Sequence, residues 1–260
     1  MRAGARLRSV LSHPSNDANP TPGIRPPEGE HVREMLEKVS LGCRVLGAAD
    51  QSDLVWGHLS ARDPDGRGVW MKASTWGFEE VTPDRVVLVD PDGNVLEGDG
   101  RRHIEYPIHT EVMANRSDVG AVVHTHSRSA VAFGATGQPL LPVSHEGTLF
   151  APPDIARFTL TGDLIITREL GRALAGALGN RNAALMINHG MVVAAADVET
   201  AVATTILLDA ACRMQLDILA AGGAEHWSSD EEALSKRQHC YPDALLRQAW
   251  DYLVRRLPSG

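Results

Sequence analysis

Apolar residues recur at helical spacing over 31–49, where Val32, Met35, Leu36, Val39 and Leu46 share a face and predict the first core helix. The period then changes. Two short runs, 53–62 and 68–72, flank Asp63-Pro64-Asp65-Gly66, whose proline presets φ and whose glycine accepts positive φ, so they read as paired strands. A third strand, 86–90, runs into a second turn at Pro91-Asp92-Gly93-Asn94. Helical spacing returns over 106–116, with Pro107 tolerated in the first turn because its missing N–H has no partner there anyway. An apolar run over 119–123 predicts a buried strand. A short helix at 129–134, a longer one at 168–178, strands at 183–187 and 191–195, and a long helix over 198–220 complete the pattern. Leu207, Leu208, Ala211, Met214 and Ile218 are expected on the buried side of that last helix. Before residue 31 there is no period, only Pro14, Pro20, Pro22, Pro26 and Pro27 among small polar residues, which predicts a disordered arm over 1–30. Residues 31–260 then form one domain ending in a helical tail. Helices flanking a sheet built from hairpins imply an α/β fold with three α/β/α layers.

Composition narrows the partners. With 43% hydrophobic residues in 260, the chain can bury a substantial core, and no stretch approaches a membrane span. A net charge of -8 argues against nucleic acid and anionic membranes, which require an excess of Lys and Arg. Arg2, Arg6 and Arg8 open the chain in the manner of a targeting peptide, but without the continuous apolar region that such a peptide carries. Cys43, Cys212 and Cys240 are too few and too dispersed for a disulfide framework, which fits a reducing cytoplasm.

The chemistry concentrates where the 119–123 run delivers His124-Thr125-His126. Residues two apart on a strand project from one face, so both imidazoles can grip one divalent cation. Much later the run 183–187 delivers Asn188-His189-Gly190 in the same way. Three imidazoles without an obvious fourth ligand leave coordination positions free, as a catalytic metal requires. Zinc is the expected ion, with manganese or iron as alternatives, since imidazole suits more than one of them.

Together with the segment His103-Ile104-Glu105-Tyr106-Pro107-Ile108-His109, the HTHS and NHG motifs give an arrangement that resembles the class II aldolase/adducin family over 30–220. Gly57-His58-Leu59-Ser60 stands where that family carries Gly-Asn-x-Ser, and Lys72-Ala73-Ser74 is similar to its Lys-Pro-Ser segment. The resemblance implies a predominantly antiparallel central sheet, a homotetramer, a metal held by His124, His126 and His189, and Glu105 as the acid/base beside it. It further implies that Tyr241, on a turn before Pro242, donates a proton across a subunit boundary. Three departures bear on substrate: the Asn has become His58, a glycine position is Thr75, and a Ser-Ser pair is His103-Ile104. Loss of glycine and small donors spoils close backbone approach to phosphate. His58, Lys72, Ser74, Thr75 and His103 are therefore expected to meet a carboxylate-bearing small molecule, with Trp56, Trp76 and Phe78 suiting a flat or apolar one. The expected activity is a metal-dependent carbon–carbon lyase, an aldolase or decarboxylase on a hydroxy-keto or aromatic hydroxycarboxylate. The alternatives are a nonheme iron oxygenase on the same histidines, cleaving a side chain beside an aromatic ring, and an adducin-like binding protein.

Overall fold

In the computed structural model, which describes residues 29–258, the elements run α1 (Glu30–Ala48), β1 (His58–Arg62), β2 (Val69–Lys72), β3 (Val86–Val89), β4 (Val95–Glu97), α2 (Pro107–Asn115), β5 (Ala121–Thr125), α3 (Arg128–Thr136), α4 (His145–Thr148), β6 (Ala156–Phe158), α5 (Arg168–Leu178), β7 (Ala183–Met186), β8 (Gly190–Ala195), α6 (Val198–Ala220), α7 (Asp230–Cys240) and α8 (Asp243–Arg255). The arm expected over 1–30 lies, but for its last two residues, outside the described residues.

The strands form one eight-stranded sheet in the order β4-β3-β2-β1-β5-β8-β7-β6. Every neighbouring pair is antiparallel except β6 with β7. Strand alternation divides its side chains between two cores. Leu59, Ala61, Ala121, Val123, Leu185 and Val193 pack under α1, α3, α6 and α8. Met71, Val87, Val122, Ala184, Met186 and Val192 pack against α2 and α5. The three expected layers and the mostly antiparallel sheet are present.

The β1–β2 turn is fixed by its own side chains. Asp63 accepts from Arg67 and from Trp70 Nε1 at 2.8 Å, while Gly66 takes φ 73. These contacts offset the burial of Asp63 and hold its carboxyl below the usual range. The strand expected over 53–62 is shorter than its apolar pattern: residues before His58 form a loop, with Leu54 at φ 51. Of the stripe expected on α6, Leu208 and Ala211 are buried and Leu207 packs against the core, but Val198, Ala201, Val202, Thr205, Cys212 and Gln215 also face inward, whereas Met214 is 42% exposed. Helix α1 crosses beside the start of α6, at Gly42 against Val198 and Val202, and this contact selects which face is covered. Among the described residues no helix is long and apolar enough to cross a membrane. All three cysteines are free, and burial pushes the Cys43 and Cys212 thiols up to about 12.

Candidate metal centre

Three central strands converge on the site. β1 and β5 pair so that His58 stands opposite His124, and both lie on the α2/α5 side with Ser60 and Val122. His126 follows one residue beyond β5. The tight β7–β8 connection Ile187-Asn188-His189 brings the third imidazole alongside, with Asn188 at φ 54 and His189 N donating to Met186 O at 3.1 Å. Gly190 is required by close approach: a Cβ there would sit 2.5 Å from Thr125 O and 3.1 Å from the His126 ring. One imidazole of the cluster comes from each of β5, the residue after it, and the β7–β8 turn.

One side-chain donor atom each from Glu105, His124, His126 and His189 lies within 4.8 Å of all the others. His124 Nδ1 lies 3.0 Å from Met191 O, and His126 Nδ1 lies 3.0 Å from Asp53 Oδ2. A carbonyl or carboxylate oxygen only accepts, so the ring proton sits on Nδ1 in both histidines and each Nε2 presents a lone pair. Those two Nε2 atoms face each other at 3.0 Å. Facing lone pairs repel unless positive charge lies between them. The two nitrogens of His189 are buried and partnerless, with Nε2 3.4 Å from Glu105 Oε1. Burial holds His124 well below the usual imidazole range and lowers His126 too, keeping both in the neutral form that ligates metals. This donor set fits a divalent cation.

Glu105 is expected at a helix entrance with its charge favoured by helix amides. It precedes α2 by two residues, but the amide that it uses comes from elsewhere: Ile165 N donates to Oε1 at 2.7 Å. Pro107 has no N–H to give, and the nearby Ile108 and Thr110 amides bond to main-chain carbonyls. Burial alone would raise the Glu105 carboxyl. The close contact with His189 and the Ile165 amide outweigh burial and hold it at about 2.

Beside the cluster opens a pocket of about 420 Å³ lined by Trp56, His58, His103, Ile104, Glu105, His126 and Leu164. Of the five residues expected at the substrate, His58 and His103 are on its wall. Burial holds both neutral, and His103 Nε2 has no partner. Lys72 is elsewhere: fully buried, it donates to Val55 O at 3.0 Å and Trp76 O at 2.6 Å and secures the loop that carries Trp56. Ser74 donates its amide to Arg101 O, and Thr75 is exposed at φ 75, neither of them lining the pocket. Tyr241 caps α7, half-buried, with its phenol pushed up to about 12 by burial and then by Glu146. The sequence reading missed Asp53, which orients His126, and gave no role to His109, although His109 stands four residues after Glu105, one helical turn on.

Comparison with known proteins matches residues 37–216 to the model of the Class II Aldolase and Adducin N-terminal domain. A 3,4-dihydroxyphthalate decarboxylase of Arthrobacter keyseri is 33% identical over 208 residues, 72% of this chain and 80% of that protein. A 4-hydroxy-3-prenylphenylpyruvate oxygenase/4-hydroxy-3-prenylbenzoate synthase of Streptomyces roseochromogenus subsp. oscitans is 31% identical over 237 residues, 89% of this chain and 84% of that one. Among solved structures, L-fuculose 1-phosphate aldolase from Glaciozyma antarctica PI12 superposes with a TM-score of 0.77 at 25% identity, covering 90% of this chain and 93% of that one. With the matched segment spanning the whole of its sheet and all four clustered side chains, the chain belongs to the class II aldolase and adducin family.

Proposed function

We propose that this chain is a divalent-metal-dependent carbon–carbon lyase that decarboxylates a small aromatic hydroxycarboxylate. The observation that carries the reading is the juxtaposition of the converging imidazoles and ionised Glu105 with a pocket whose polar wall is His58 and His103 and whose other walls are Trp56, Ile104 and Leu164. His124, His126 and His189 would hold the ion, with zinc the first expectation. When bound, such an ion supplies Lewis acidity, stabilising negative charge that develops on a substrate oxygen as the neighbouring bond breaks. The protein side chains do the rest. His58 and His103 orient the oxygens of the substrate, the apolar wall excludes water, and Glu105 holds or moves a proton at its free carboxylate oxygen. A decarboxylase 33% identical to this chain supports this chemistry over aldol cleavage of a hydroxy-keto acid.

A second reading, iron-dependent oxidative cleavage beside an aromatic ring, is favoured by the oxygenase relative that aligns with 89% of the chain. Both readings include a cytoplasmic homotetramer. The deciding experiment is metal analysis of anaerobically purified protein followed by turnover of dihydroxybenzoates, dihydroxyphthalates, a hydroxyphenylpyruvate and a sugar phosphate with and without oxygen. Carbon dioxide release at an equal rate without oxygen is expected. Strict oxygen dependence establishes the second reading, and efficient cleavage of a sugar phosphate overturns both.

A further inference from the structure

A second pocket, of about 560 Å³, opens at Ala183, the first residue of β7, whereas His189 follows the last residue of that strand. The pocket therefore lies at the end of β7 away from the metal centre. Its lining combines an apolar floor, with Phe150, Ile155 and Ala183 buried, and a polar rim of Asn180, Arg181 and Asn182 from the loop before β7 and Arg237 from α7. No Asp or Glu lines it, although the chain carries a net charge of -8. The acid nearest in sequence, Asp154, accepts from the Leu140 amide at 2.9 Å. Both parts of the rim are held in place. Arg116 Nη1 donates to Gly179 O at 2.9 Å and to Arg181 O at 3.0 Å, and Ala194 N donates to Asn182 O at 2.9 Å, which fixes the main chain of the loop. Arg237 donates from Nε to Thr148 O and from Nη2 to Pro152 O, each at 2.7 Å. Those bonds orient the guanidinium without matching its charge, because a carbonyl is a dipole and not an anion. Burial lowers the pKa of Arg237 below the ordinary arginine value, and no carboxylate opposes the shift. A part-buried guanidinium without a counter-ion favours any anion that can reach it, and its planar fork matches a carboxylate.

We propose that this pocket is a second ligand site, which takes a small organic carboxylate with its apolar body on Phe150 and Ile155 and its anion on Arg237 and Arg181. An inorganic anion would leave the apolar floor uncovered, and a neutral ligand would leave the guanidiniums unmatched. The site shares no lining residue with the pocket beside the histidines and does not depend on the reaction proposed there.

Each pocket holds one isoleucine, Ile155 here and Ile104 beside the metal centre, so one spectrum reads both. Metal-loaded protein carrying 13C-labelled isoleucine methyls is titrated with benzoate, acetate and inorganic phosphate, the two signals being assigned by their loss in Ile155→Val and Ile104→Val. Benzoate should shift the Ile155 methyl saturably, and acetate and phosphate should do so far more weakly. In Arg237→Gln the benzoate response at Ile155 should weaken by about 10- to 100-fold, the scale of a lost hydrogen bond to a charged group, while the response at Ile104 stays as in wild type. Arg181→Gln should weaken it in the same direction, and this variant decides alone if the loss of two carbonyl contacts keeps Arg237→Gln from folding. The proposal is overturned if benzoate leaves Ile155 unmoved, if acetate or phosphate matches benzoate, or if the folded variants respond like wild type. Sedimentation of the same variants covers the remaining occupant. A change in assembly size, with no benzoate response at Ile155 in wild type, would mean that a second copy of the chain fills the pocket, and would overturn the proposal as well.

Discussion

At the scale of single residues, the cluster separates groups that hold charge from groups that hold geometry. His126→Ala and His189→Ala each remove one of three imidazoles, so stoichiometric metal should be lost from both, as read by elemental analysis after dialysis. Full occupancy in the double variant would refute the site. Glu105→Gln keeps the shape and removes the charge; metal should stay while turnover falls by about 10²–10⁴-fold, the usual cost of deleting a positioned base. Lys72 gives a pH test. Burial lowers its ammonium from 10.5 to about 8 in the folded chain. Between these values the unfolded chain binds more protons than the folded one, so the Lys72 contribution to stability rises with pH from about 8 to 10.5 and is smallest below that window. The unfolding free energy of wild type minus that of Lys72→Met, from urea titrations at pH 7.5 and pH 10, should therefore be larger at the higher pH. A flat difference would mean that the ammonium is not desolvated.

At the scale of elements, Gly190 joins two strands and two rings. Gly190→Ala places a methyl against Thr125 O and the His124 and His126 rings, so β8 must move away from β5. Such overpacking costs about 1–3 kcal/mol, and because it displaces two ligands at once, zinc affinity in competition with a chelator should fall together with the melting temperature. Normal affinity in a destabilised protein would separate the strand contact from the site. The elements that were legible in sequence explain themselves. α5 and α6 begin where the periodicity places them, because Thr167 and Asp197 cap their N-termini through their side chains. The pairing of His124 and His126 was visible because strand period fixes their side, and His189 because an apolar run ends on it. What escaped has a physical cause too. β4 and β6 have three residues each, too few to show a period, and α7 buries only Ala233. Asp53 is a lone acid in a loop, and its partner His126 is brought to it by the sheet rather than by the chain. Lys72 reads as a free cation in sequence, yet the carbonyls that hold it belong to residues 55 and 76.

At the scale of the molecule, the sheet puts its reactive edge beside an incompletely covered surface. Trp56 is 54% exposed and Leu164 44% exposed although both line the pocket, and Leu54 and Leu160 nearby in sequence are more exposed still. Apolar side chains left open around a buried polar cluster are suited to cover by a second copy of the chain. Tyr241 sits in a different setting, at the end of α7 against Glu146, and is not among the residues gathered round the histidines. If its phenol serves catalysis, it serves the site of a neighbour. Glu105→Gln and Tyr241→Phe should then each be inactive as pure oligomers and regain activity when mixed. A Tyr241→Phe chain supplies an intact Glu105, and an adjoining Glu105→Gln chain supplies the intact phenol, so some mixed sites are complete. Dissociation and reassembly of the two variants, followed by turnover per mole of verified hybrid, measures this directly. Recovery is the expected result. No recovery in hybrids, or full activity in a stable monomer, would confine each site to a single chain and leave Tyr241 as packing at the edge of the α6 side of the core.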